Sequence, residues 1–395
     1  MKRFILLTNV ISPHQLPLAR EIAKLVGDDN LRYVYTQDDD KDHRDLGWRN
    51  EIPKWCIKAD DVLAREWLEN ADVLLSGLRE FDLFERRAAK GLNNLYMSER
   101  WFKPPIGMLR LLHPRYFCYA RRLCRLMYEG KLMCFPIGIH AARDMASLCE
   151  LMHGDLRCLF RAPKLYFESK PGGAIWLQNG GDGKRYCLDK MCMWGYFVEP
   201  SQYPRPHPPS PHPPTHNSST LKVIWVGRLL NWKRVDTIIR AVGELDTNSS
   251  NNKFHSSTPT RSSNFHVHLD IYGTGPEENR LKKLAANYGD RIKFYSPVPI
   301  TDVRKLMRSH DVYVLSSNAY EGWGAVVSEA LEEGMKVIGT YEAGSSATLL
   351  PEDQLYHVGD VSRLQDMLRH SATGERINAW TLSDAVKALI NICVI

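Results

Sequence analysis

The sequence predicts an α/β protein of two domains, each a parallel sheet with crossover helices. Strand-like runs alternate with helical patterns through the first half of the chain, and this alternation is typical of βαβ units. The first-half strands are predicted near residues 3–10, 31–36, 72–76 and 93–97. The first-half helices are predicted near residues 15–26, 61–69, 81–90 and 140–152.

A change in composition predicts the domain boundary. Residues 200–214 hold eight of the 22 prolines, interleaved with His207 and His212. Proline fixes the backbone in an extended form, so this stretch is predicted to be a stiff linker and not a metal site. We therefore expect a first domain over 1–198, a linker over 199–220 and a second domain over 221–395.

The alternation resumes after the linker. Strands are predicted near residues 222–227, 266–272, 291–295, 311–316 and 336–340. The polar stretch from Asp246 to Asn264, rich in Ser, Asn and Thr, is typical of a disordered surface insertion. A last helix is predicted from Ser383 to Ile392.

Composition limits the possible classes of function. The 395 residues exceed one typical domain, and 44% hydrophobic with 25% charged residues is ordinary for a globular protein. A net charge of +6 fits polyanionic ligands or an anionic membrane surface. No nucleic-acid-binding motif is present, so we expect no nucleic-acid partner.

The N-terminus and the cysteines favour a cytoplasmic protein. Residues 1–11 contain a short apolar stretch that is broken by Thr8 and Asn9, and Pro13-His14-Gln15 follows in place of a small-residue cleavage site. A first strand fits this pattern better than a signal peptide, and no apolar run is long enough to span a membrane. Nine scattered cysteines without a C-x-x-C spacing are typical of reduced thiols.

Two glutamates carry most of the functional information. Glu321 and Glu329 bracket the run Glu321-Gly322-Trp323-Gly324-Ala325-Val326-Val327-Ser328-Glu329, which follows a predicted strand and enters a predicted helix. The glycines let the backbone approach a ligand closely, and the start of the helix offers N–H groups to an anion. N–H donors for a diphosphate and carboxylates for hydroxyls together suit a nucleotide sugar.

A second element lies upstream. The predicted strand Val223-Ile224-Trp225-Val226-Gly227 is followed by Arg228, and Lys233 comes five residues after it. Two cations near the start of a helix oppose its dipole, which suggests that an anion lies between them. A third strand ends in the glycine-rich turn Gly273-Thr274-Gly275-Pro276.

These elements together resemble the glutamate–seven–glutamate glycosyltransferases, the retaining, family-4-type enzymes of GT-B fold. The resemblance covers residues 220–350 strongly and the first half weakly, through Pro13-His14-Gln15 and Trp194-Gly195-Tyr196. It implies two Rossmann-like domains facing across a cleft, with the last helix crossing back onto the first domain.

The resemblance also implies which side chains hold the donor. Gly227, Arg228 and Lys233 would face the diphosphate, and Glu321 would contact hydroxyls of the transferred sugar. Glu329 would hold the ribose hydroxyls.

Backbone groups would complete the donor site that the resemblance implies. The turn Gly322-Trp323-Gly324 would approach the phosphates through the N–H groups of Trp323 and Gly324. The backbone near Val298 would contact the base. The Trp323 ring either packs on the sugar or is a buried aromatic.

We expect no metal cofactor. Asp38-Asp39-Asp40 resembles a metal-binding aspartate run, but Lys41 and Arg44 lie beside it, and a solvated loop is the more ordinary interpretation. Fixed cations at Arg228 and Lys233 can neutralise the same diphosphate charge that a metal would neutralise.

The acceptor side is less defined by the sequence. Glu99 follows the predicted strand 92–97, where the resemblance implies a polar residue that approaches the acceptor, often a histidine or an acid, and Glu99 is the best candidate here. The family often has a histidine at this position, and this departure leaves the role of Glu99 open. His14 lies in the first loop, where Ile11-Ser12-Pro13 replaces the usual glycines, so this loop could contact the acceptor. A structural histidine is the alternative.

Residues 110–125 combine five arginines with aromatic side chains. Such a stretch could lie on an anionic bilayer, where lipid-linked acceptors reside, or form an amphipathic helix packed on the first sheet with a solvated arginine face. The first option would place a cytoplasmic protein at the inner face of the membrane.

The sequence therefore predicts a retaining glycosyltransferase that moves a sugar from a nucleotide-sugar donor to a glycan or lipid-linked acceptor in bacterial surface polysaccharide synthesis. A non-catalytic nucleotide-sugar-binding protein and an epimerase of the same fold are the alternatives, because a fold alone does not establish activity.

Overall fold

The computed structural model describes residues 2–38, 52–159, 165–169, 175–179, 187–201, 220–245, 266–370 and 382–394. Most of the proline-rich linker, the polar insertion, Asp39 and Asp40 lie outside these residues. The chain divides into two compact units. The N-terminal unit extends to Glu199 and includes the last helix, and the described part of the C-terminal unit runs from Pro200 to His370.

The N-terminal unit is built on a six-stranded parallel sheet of order β3-β2-β1-β4-β5-β6. Its strands are β1 Phe4–Thr8, β2 Leu31–Tyr35, β3 Cys56–Lys58, β4 Val73–Ser76, β5 Asn93–Ser98 and β6 Met133–Pro136. Its helices are α1 Leu16–Val26, α2 Val62–Asn70, α3 Phe81–Ala89, α4 Pro114–Tyr128, α5 Ile139–Met152 and, at the end of the chain, α12 Leu382–Val394. Strands β1 and β4 are buried along their whole length, as expected of central strands covered on both faces.

A short antiparallel hairpin follows α5. It pairs β7 Leu165–Ser169 with β8 Ile175–Asn179, with Phe167 opposite Leu177. At the end of the chain, α12 contacts α1, and the ammonium group of Lys2 donates to the carbonyl oxygen of Cys393. The last helix is therefore part of the N-terminal unit.

The C-terminal unit repeats the same strand order, β11-β10-β9-β12-β13-β14, again with parallel pairing. Its strands are β9 Thr220–Val226, β10 His266–Tyr272, β11 Ile292–Tyr295, β12 Val312–Leu315, β13 Lys336–Thr340 and β14 Leu355–Tyr356. Its helices are α6 Val235–Gly243, α7 Glu278–Ala285, α8 Ile300–Arg308, α9 Ala325–Glu332, α10 Gly344–Leu349 and α11 Val361–His370.

Alternation along β9 builds the two cores of the C-terminal unit. Val223 and Trp225 belong to one buried cluster, with residues of α6 and β10. Ile224 points to the opposite face and joins a second cluster, with Tyr313 and Val327. Successive side chains of a strand alternate between faces, so one apolar strand supports helices on both sides of the sheet.

The predicted α/β class is confirmed, and so are the main strands. Within the two parallel sheets, the sequence analysis missed the strands Cys56–Lys58, Met133–Pro136 and Leu355–Tyr356. Each has two to four residues and lies at an edge of its sheet. Such short strands carry too few residues for a periodic signal.

Candidate active site

The predicted donor residues lie at one edge of the second sheet. Arg228 and Lys233 follow β9, the Gly273–Gly275 turn follows β10, and Glu321 follows β12. Parallel strands place their carboxyl ends at the same edge, where open α/β sheets bind ligands. The topology therefore brings together segments almost a hundred residues apart in the sequence.

The loops after β9 and β10 pack backbone against backbone. Gly273 has a φ of 150°, and a Cβ atom there would lie 1.8 Å from the carbonyl oxygen of Gly227. A Cβ atom on Gly275 would lie 2.5 Å from the carbonyl oxygen of Leu229. The amide of Leu229 donates to the carbonyl oxygen of Thr274 at 2.8 Å and fixes this contact. Glycine at these positions sets where the loop carrying Arg228 leaves the sheet.

Lys233 ends a short 3₁₀ turn, Asn231–Lys233, in front of α6. Arg234, the next residue, has a left-handed backbone with φ 48°, which is uncommon for a residue other than glycine. Its guanidinium binds both carboxylate oxygens of Asp236 at 3.1 Å. The hydroxyl of Ser316 donates to the carbonyl oxygen of Lys233 at 2.5 Å. These contacts hold the base of the Lys233 side chain in one orientation.

Lys233 and Glu321 form an ion pair. The two side chains are only 19% and 13% exposed, and the hydroxyl of Ser317 also donates to the same Glu321 oxygen at 2.8 Å. Two backbone hydrogen bonds hold the Glu321 loop. The amide of Asn318 donates to the carbonyl oxygen of Trp232 at 2.8 Å, and the amide of Glu321 donates to the carbonyl oxygen of Asn318 at 3.0 Å. A residue expected on the diphosphate and a residue expected on the sugar are thus in direct contact.

The glycine turn after Glu321 leads into α9. Gly324 has φ 85° and ψ 67°, a left-handed conformation that glycine adopts without strain. The hydroxyl of Ser345 donates to its carbonyl oxygen at 3.1 Å. The carbonyl oxygen of Gly322 accepts a bond from the amide of Gly344 at 3.2 Å. The start of α10 therefore holds the turn in place.

The Trp323 ring belongs to the interior of the unit. Trp323 is buried, and its indole N–H donates to the hydroxyl of Ser328 at 3.1 Å. Its carbonyl oxygen accepts a bond from the amide of Ser345 at 2.9 Å. This geometry favours the buried-aromatic interpretation of the ring over packing on a sugar.

Glu329 lies in the second turn of α9 and is buried. Burial raises the pKa of its carboxyl group to about 7, opposed by the positive charge of Arg304 and reinforced by Glu333. The hydroxyl of the buried Tyr313 has a raised pKa, first through burial and then through the negative charges of Glu321 and Glu329. Both glutamates of the motif therefore act electrostatically on one buried tyrosine.

The sequence analysis missed a charged group next to Glu329. The carboxylate of Glu333 accepts hydrogen bonds from Arg304 at 2.5 Å, Arg308 at 2.6 Å and Ser201 at 3.0 Å. Burial alone would raise the pKa of Glu333, but these bonds and charges lower it. Arg304 and Arg308 are four residues apart, so the sequence alone places them on one face of α8. It does not identify Glu333 as their partner.

The position expected to contact the base falls on the loop after β11. Val298 is partly buried and packs on the cluster that contains Val303 and Met307. The rings of Tyr272 and Tyr295, at the ends of β10 and β11, are stacked 4.6 Å apart. The structure thus adds two aromatic rings to this edge of the sheet.

In the N-terminal unit, the two acceptor-side candidates meet at Tyr196. The Tyr196 hydroxyl donates to one carboxylate oxygen of Glu99 at 2.9 Å, and Lys103 binds the other at 2.8 Å. The His14 ring stacks on Tyr196 at 6.4 Å between centroids. Burial lowers the pKa of His14 to about 4, so its imidazole is neutral at pH 7. Tyr196 and Lys103 were not predicted as site residues.

The segment after Glu99 is anchored to α5. The buried carboxylate of Asp144 accepts a bond from the amide of Phe102 at 2.9 Å and from the guanidinium of Arg100 at 3.4 Å. Arg79, after β4, lies 4.4 Å above the ring of Trp101. The loop that carries Glu99 is therefore held from two neighbouring elements.

The aspartate run is described only in part. Asp38 is exposed and pairs with Lys58 at 2.6 Å, while Asp39 and Asp40 lie outside the described residues. Among the described residues, no group of three histidine, cysteine or acidic side chains is arranged to hold a metal ion. The metal-free expectation stays a prediction.

Helix α4 shows how residues 114–125 pack. Leu123, Cys124 and Met127 are buried against the rest of the unit. Arg122 binds Asp82 and Glu85, and Arg125 also binds Glu85. The helix is an amphipathic element packed on its unit, and part of its arginine face is paired with acids of α3. In the part of the chain that the structure describes, no helix is both long and apolar enough to cross a membrane.

Comparison with known proteins identifies the C-terminal unit. The model of the family "Glycosyl transferases group 1" matches residues 210–368. The C-terminal unit is a group 1 glycosyltransferase domain. The predicted glycosyltransferase family is therefore confirmed, while retention stays a prediction. Every donor-side residue predicted above lies within the matched range.

A curated relative adds a sequence match to the glycosyltransferase domain. An uncharacterized glycosyltransferase of Methanocaldococcus jannaschii is 26% identical over 131 residues, which is 33% of this chain and 30% of the relative. The matched part thus spans less than a third of that relative.

Solved structures establish the fold around the glycosyltransferase domain. HepE of Anabaena, solved with UDP and glucose, is 15% identical with a TM-score of 0.51, covering 100% of this chain and 95% of its own. WaaG, a glycosyltransferase involved in lipopolysaccharide biosynthesis, is 14% identical with a TM-score of 0.51, covering 97% and 93%. Trehalose-6-phosphate synthase is 11% identical with a TM-score of 0.55, covering 99% and 95%. The chain has the GT-B fold of two Rossmann-like domains.

Proposed function

We propose that this protein is a retaining glycosyltransferase that moves a sugar from a nucleotide diphosphate donor to a glycan or lipid-linked acceptor. The observation that carries the proposal is the Lys233–Glu321 pair at the carboxyl edge of the second sheet. A cation for the diphosphate and a carboxylate for the sugar hydroxyls lie side by side, next to the glycine turn that starts α9. A donor that bridges phosphate and sugar would contact both.

The proposed chemistry follows from the charges of these residues. The bond between the anomeric carbon and the donor phosphate oxygen breaks, and its electron pair goes to the phosphate. Arg228 and Lys233 neutralise this developing charge, and the amides at the start of α9 add partial positive charge. Fixed charges of this kind stabilise the departing diphosphate without reorganising during the reaction.

Retention needs the acceptor to attack from the face that the phosphate leaves. The acceptor oxygen bonds to the anomeric carbon, and its proton passes to the departing phosphate. Glu321 orients the sugar during this exchange and is not required as a base. The trehalose-6-phosphate synthase structure was solved in a study of glycosyl transfer with retention, which supports testing this stereochemistry on the shared fold.

The donor and the pathway are finer proposals. HepE was solved with UDP-glucose, which makes a UDP-sugar the first donor to test. WaaG is involved in lipopolysaccharide biosynthesis, and this supports a role in bacterial surface polysaccharide synthesis at the cytoplasmic side of the membrane. On the acceptor side, Glu99 and the neutral His14 would accept hydrogen bonds from acceptor hydroxyls, with Tyr196 holding both in place.

The decisive experiment follows the donor with and without an acceptor extract. Purified protein is incubated with UDP-glucose, and NMR reports UDP release and the configuration of the transferred sugar. Transfer with the donor's anomeric configuration supports the proposal, and inverted product contradicts retention. Binding without turnover in any extract favours the binding-protein alternative. An altered free sugar formed without acceptor favours the epimerase.

A further inference from the structure

An apolar surface is exposed in the N-terminal unit between β5 and α4. Ile106, Leu109, Leu112 and Phe117 have exposed fractions of 50%, 66%, 80% and 47%. Single exposed apolar side chains are ordinary on a protein surface, but four within 12 residues form an apolar feature that calls for a partner. We refer to these four residues as the apolar turn.

The local geometry aligns three of the four side chains. Residues Gly107–Leu112 form a 3₁₀ helix, which has three residues per turn. Ile106, at its N-cap, and then Leu109 and Leu112 follow one another at intervals of three, so they stand on one side of this turn. This segment therefore presents its aliphatic side outward.

The charges around the apolar turn have one sign. Between Glu99 and Glu129 the sequence has no acidic residue and seven basic ones: Arg100, Lys103, Arg110, Arg115, Arg121, Arg122 and Arg125. Arg122 and Arg125 are paired with acids of α3. Arg115 and Arg121 lie on the exposed side of α4, and Arg121 is one helical turn from Phe117.

We propose that the apolar turn docks on an anionic lipid bilayer, with Ile106, Leu109, Leu112 and Phe117 entering the headgroup–acyl boundary and Arg115 and Arg121 binding lipid phosphates. Aliphatic side chains flanked by exposed arginines fit such a surface by both hydrophobicity and charge. The surface differs from the basic stretch expected from the sequence, because the centre of α4 is packed inward and the contact falls on the turn before it.

The position of this surface connects it to the acceptor side. Lys103, which binds Glu99, lies three residues before Ile106 on the same loop. Docking would therefore bring the bilayer close to the Glu99 loop, and this favours a lipid-linked acceptor over a soluble glycan. That last step rests on the proposed function, whereas the docking itself depends only on the apolar turn and its arginines.

Vesicle sedimentation of the full chain tests the docking. We expect binding to phosphatidylcholine vesicles that contain phosphatidylglycerol, and much weaker binding to phosphatidylcholine alone or at high salt. The double variant Leu109→Ser with Leu112→Ser should weaken binding about tenfold or more, because each leucine loses its apolar contact with the bilayer. Arg121→Ser should weaken it about fivefold, and only on the anionic vesicles.

The matched control is Val62→Ser with Leu63→Ser, which removes two apolar side chains, 80% and 43% exposed, from α2 of the same unit. The proposal is overturned if this control weakens vesicle binding as much, or if the wild-type protein does not bind anionic vesicles. It is also overturned if Leu109→Ser with Leu112→Ser instead converts a dimer to a monomer in light scattering. Thermal stabilisation by UDP-glucose reports the donor site separately, so loss of that effect would contradict the proposed function and not the docking.

Discussion

The two units share the strand order 3-2-1-4-5-6, yet their loops differ at the carboxyl edge of the sheet. In the C-terminal unit, glycines bring backbones together, and Lys233 and Glu321 meet in an ion pair. In the N-terminal unit, His14 lies in the first loop, and Glu99 is bound by Tyr196 and Lys103. We call these the donor edge and the acceptor edge, after their proposed roles. The shared sheet therefore supplies a position, and the loops supply the chemistry.

The buried ionisable groups of the two units differ in the same way. His14 has its pKa lowered to about 4, and Glu329 has its pKa raised to about 7, each mainly through burial. Both groups are therefore pushed toward their neutral forms, one a base and the other an acid. The donor edge and the acceptor edge should consequently respond in opposite directions to pH.

The largest expected effect comes from breaking the ion pair of the donor edge. Glu321→Ala should lower transfer by about a hundredfold or more, because the sugar loses its orienting carboxylate. Lys233→Ala should in addition weaken the thermal stabilisation by UDP-glucose, because the diphosphate loses a cation. The pair Lys305–Asp302, 62% and 44% exposed in the same unit, provides matched alanine controls. Near-normal turnover of Glu321→Ala would refute its assigned role.

The glycine contact of the donor edge should be next in size. Gly273→Ala places a Cβ atom 1.8 Å from the carbonyl oxygen of Gly227, so the two loops must move apart. We expect a loss of about 3 kcal/mol or more in the stability of the C-terminal unit, measured by hydrogen exchange in β9 and β10. Gly359→Ala, also at positive φ but with nothing within 4 Å, should cost only about 1 kcal/mol. Equal losses would mean that backbone conformation matters and the close approach does not.

Glu329 should make the C-terminal unit less stable as the pH rises. Between its ordinary pKa of 4.5 and its folded pKa of about 7, the folded state keeps a proton that the unfolded state has released. Stability therefore falls as the pH rises through this range, by on the order of 3 kcal/mol, and stays low above it. Glu329→Gln should remove this loss of stability, measured as the difference in the free energy of unfolding between the two ends of this pH range. Asp302→Asn, whose side chain is 44% exposed, should leave it unchanged, and a fall that persists in Glu329→Gln would point to another group.

His14 should have the opposite and somewhat smaller effect on the N-terminal unit. Between its folded pKa of about 4 and its ordinary value of 6.5, the unfolded state binds a proton that the folded state does not. Stability is therefore lost as the pH falls through this range, by on the order of 2 kcal/mol because the side chain is partly exposed. His14→Gln should reduce this loss of stability at acid pH, measured as the free energy of unfolding in denaturant at several pH values. His153→Gln, at an exposed site, should leave the loss unchanged. If both variants still lose stability as the pH falls, a group other than His14 makes the acceptor edge sensitive to acid.

Some features of the two edges could be predicted from the sequence, and others could not. The long central strands and the donor residues follow from local patterns, since glycines, a strand and a charged residue lie together within each segment. The Glu333 cluster and the Tyr196–Glu99 contact could not be predicted, because their partners are 25 to 132 residues apart and share no local pattern. The exposure of the apolar turn could not be predicted for a related reason: leucines beside an amphipathic helix are typical of a core until the packing is known.

A chelator should have the smallest effect. It tests whether the fixed cations of the donor edge bind the diphosphate without a metal ion. If Arg228 and Lys233 bind the diphosphate, transfer should be unchanged by EDTA, with EDTA saturated beforehand by magnesium as the control. Asp38, the one residue of the aspartate run that the structure describes, is already paired with Lys58 at 2.6 Å. Loss of activity in EDTA, restored by a divalent cation, would mean that fixed cations do not suffice. The Asp38 segment would then have to be tested by Asp38→Asn, which should abolish the metal response if that segment holds the ion.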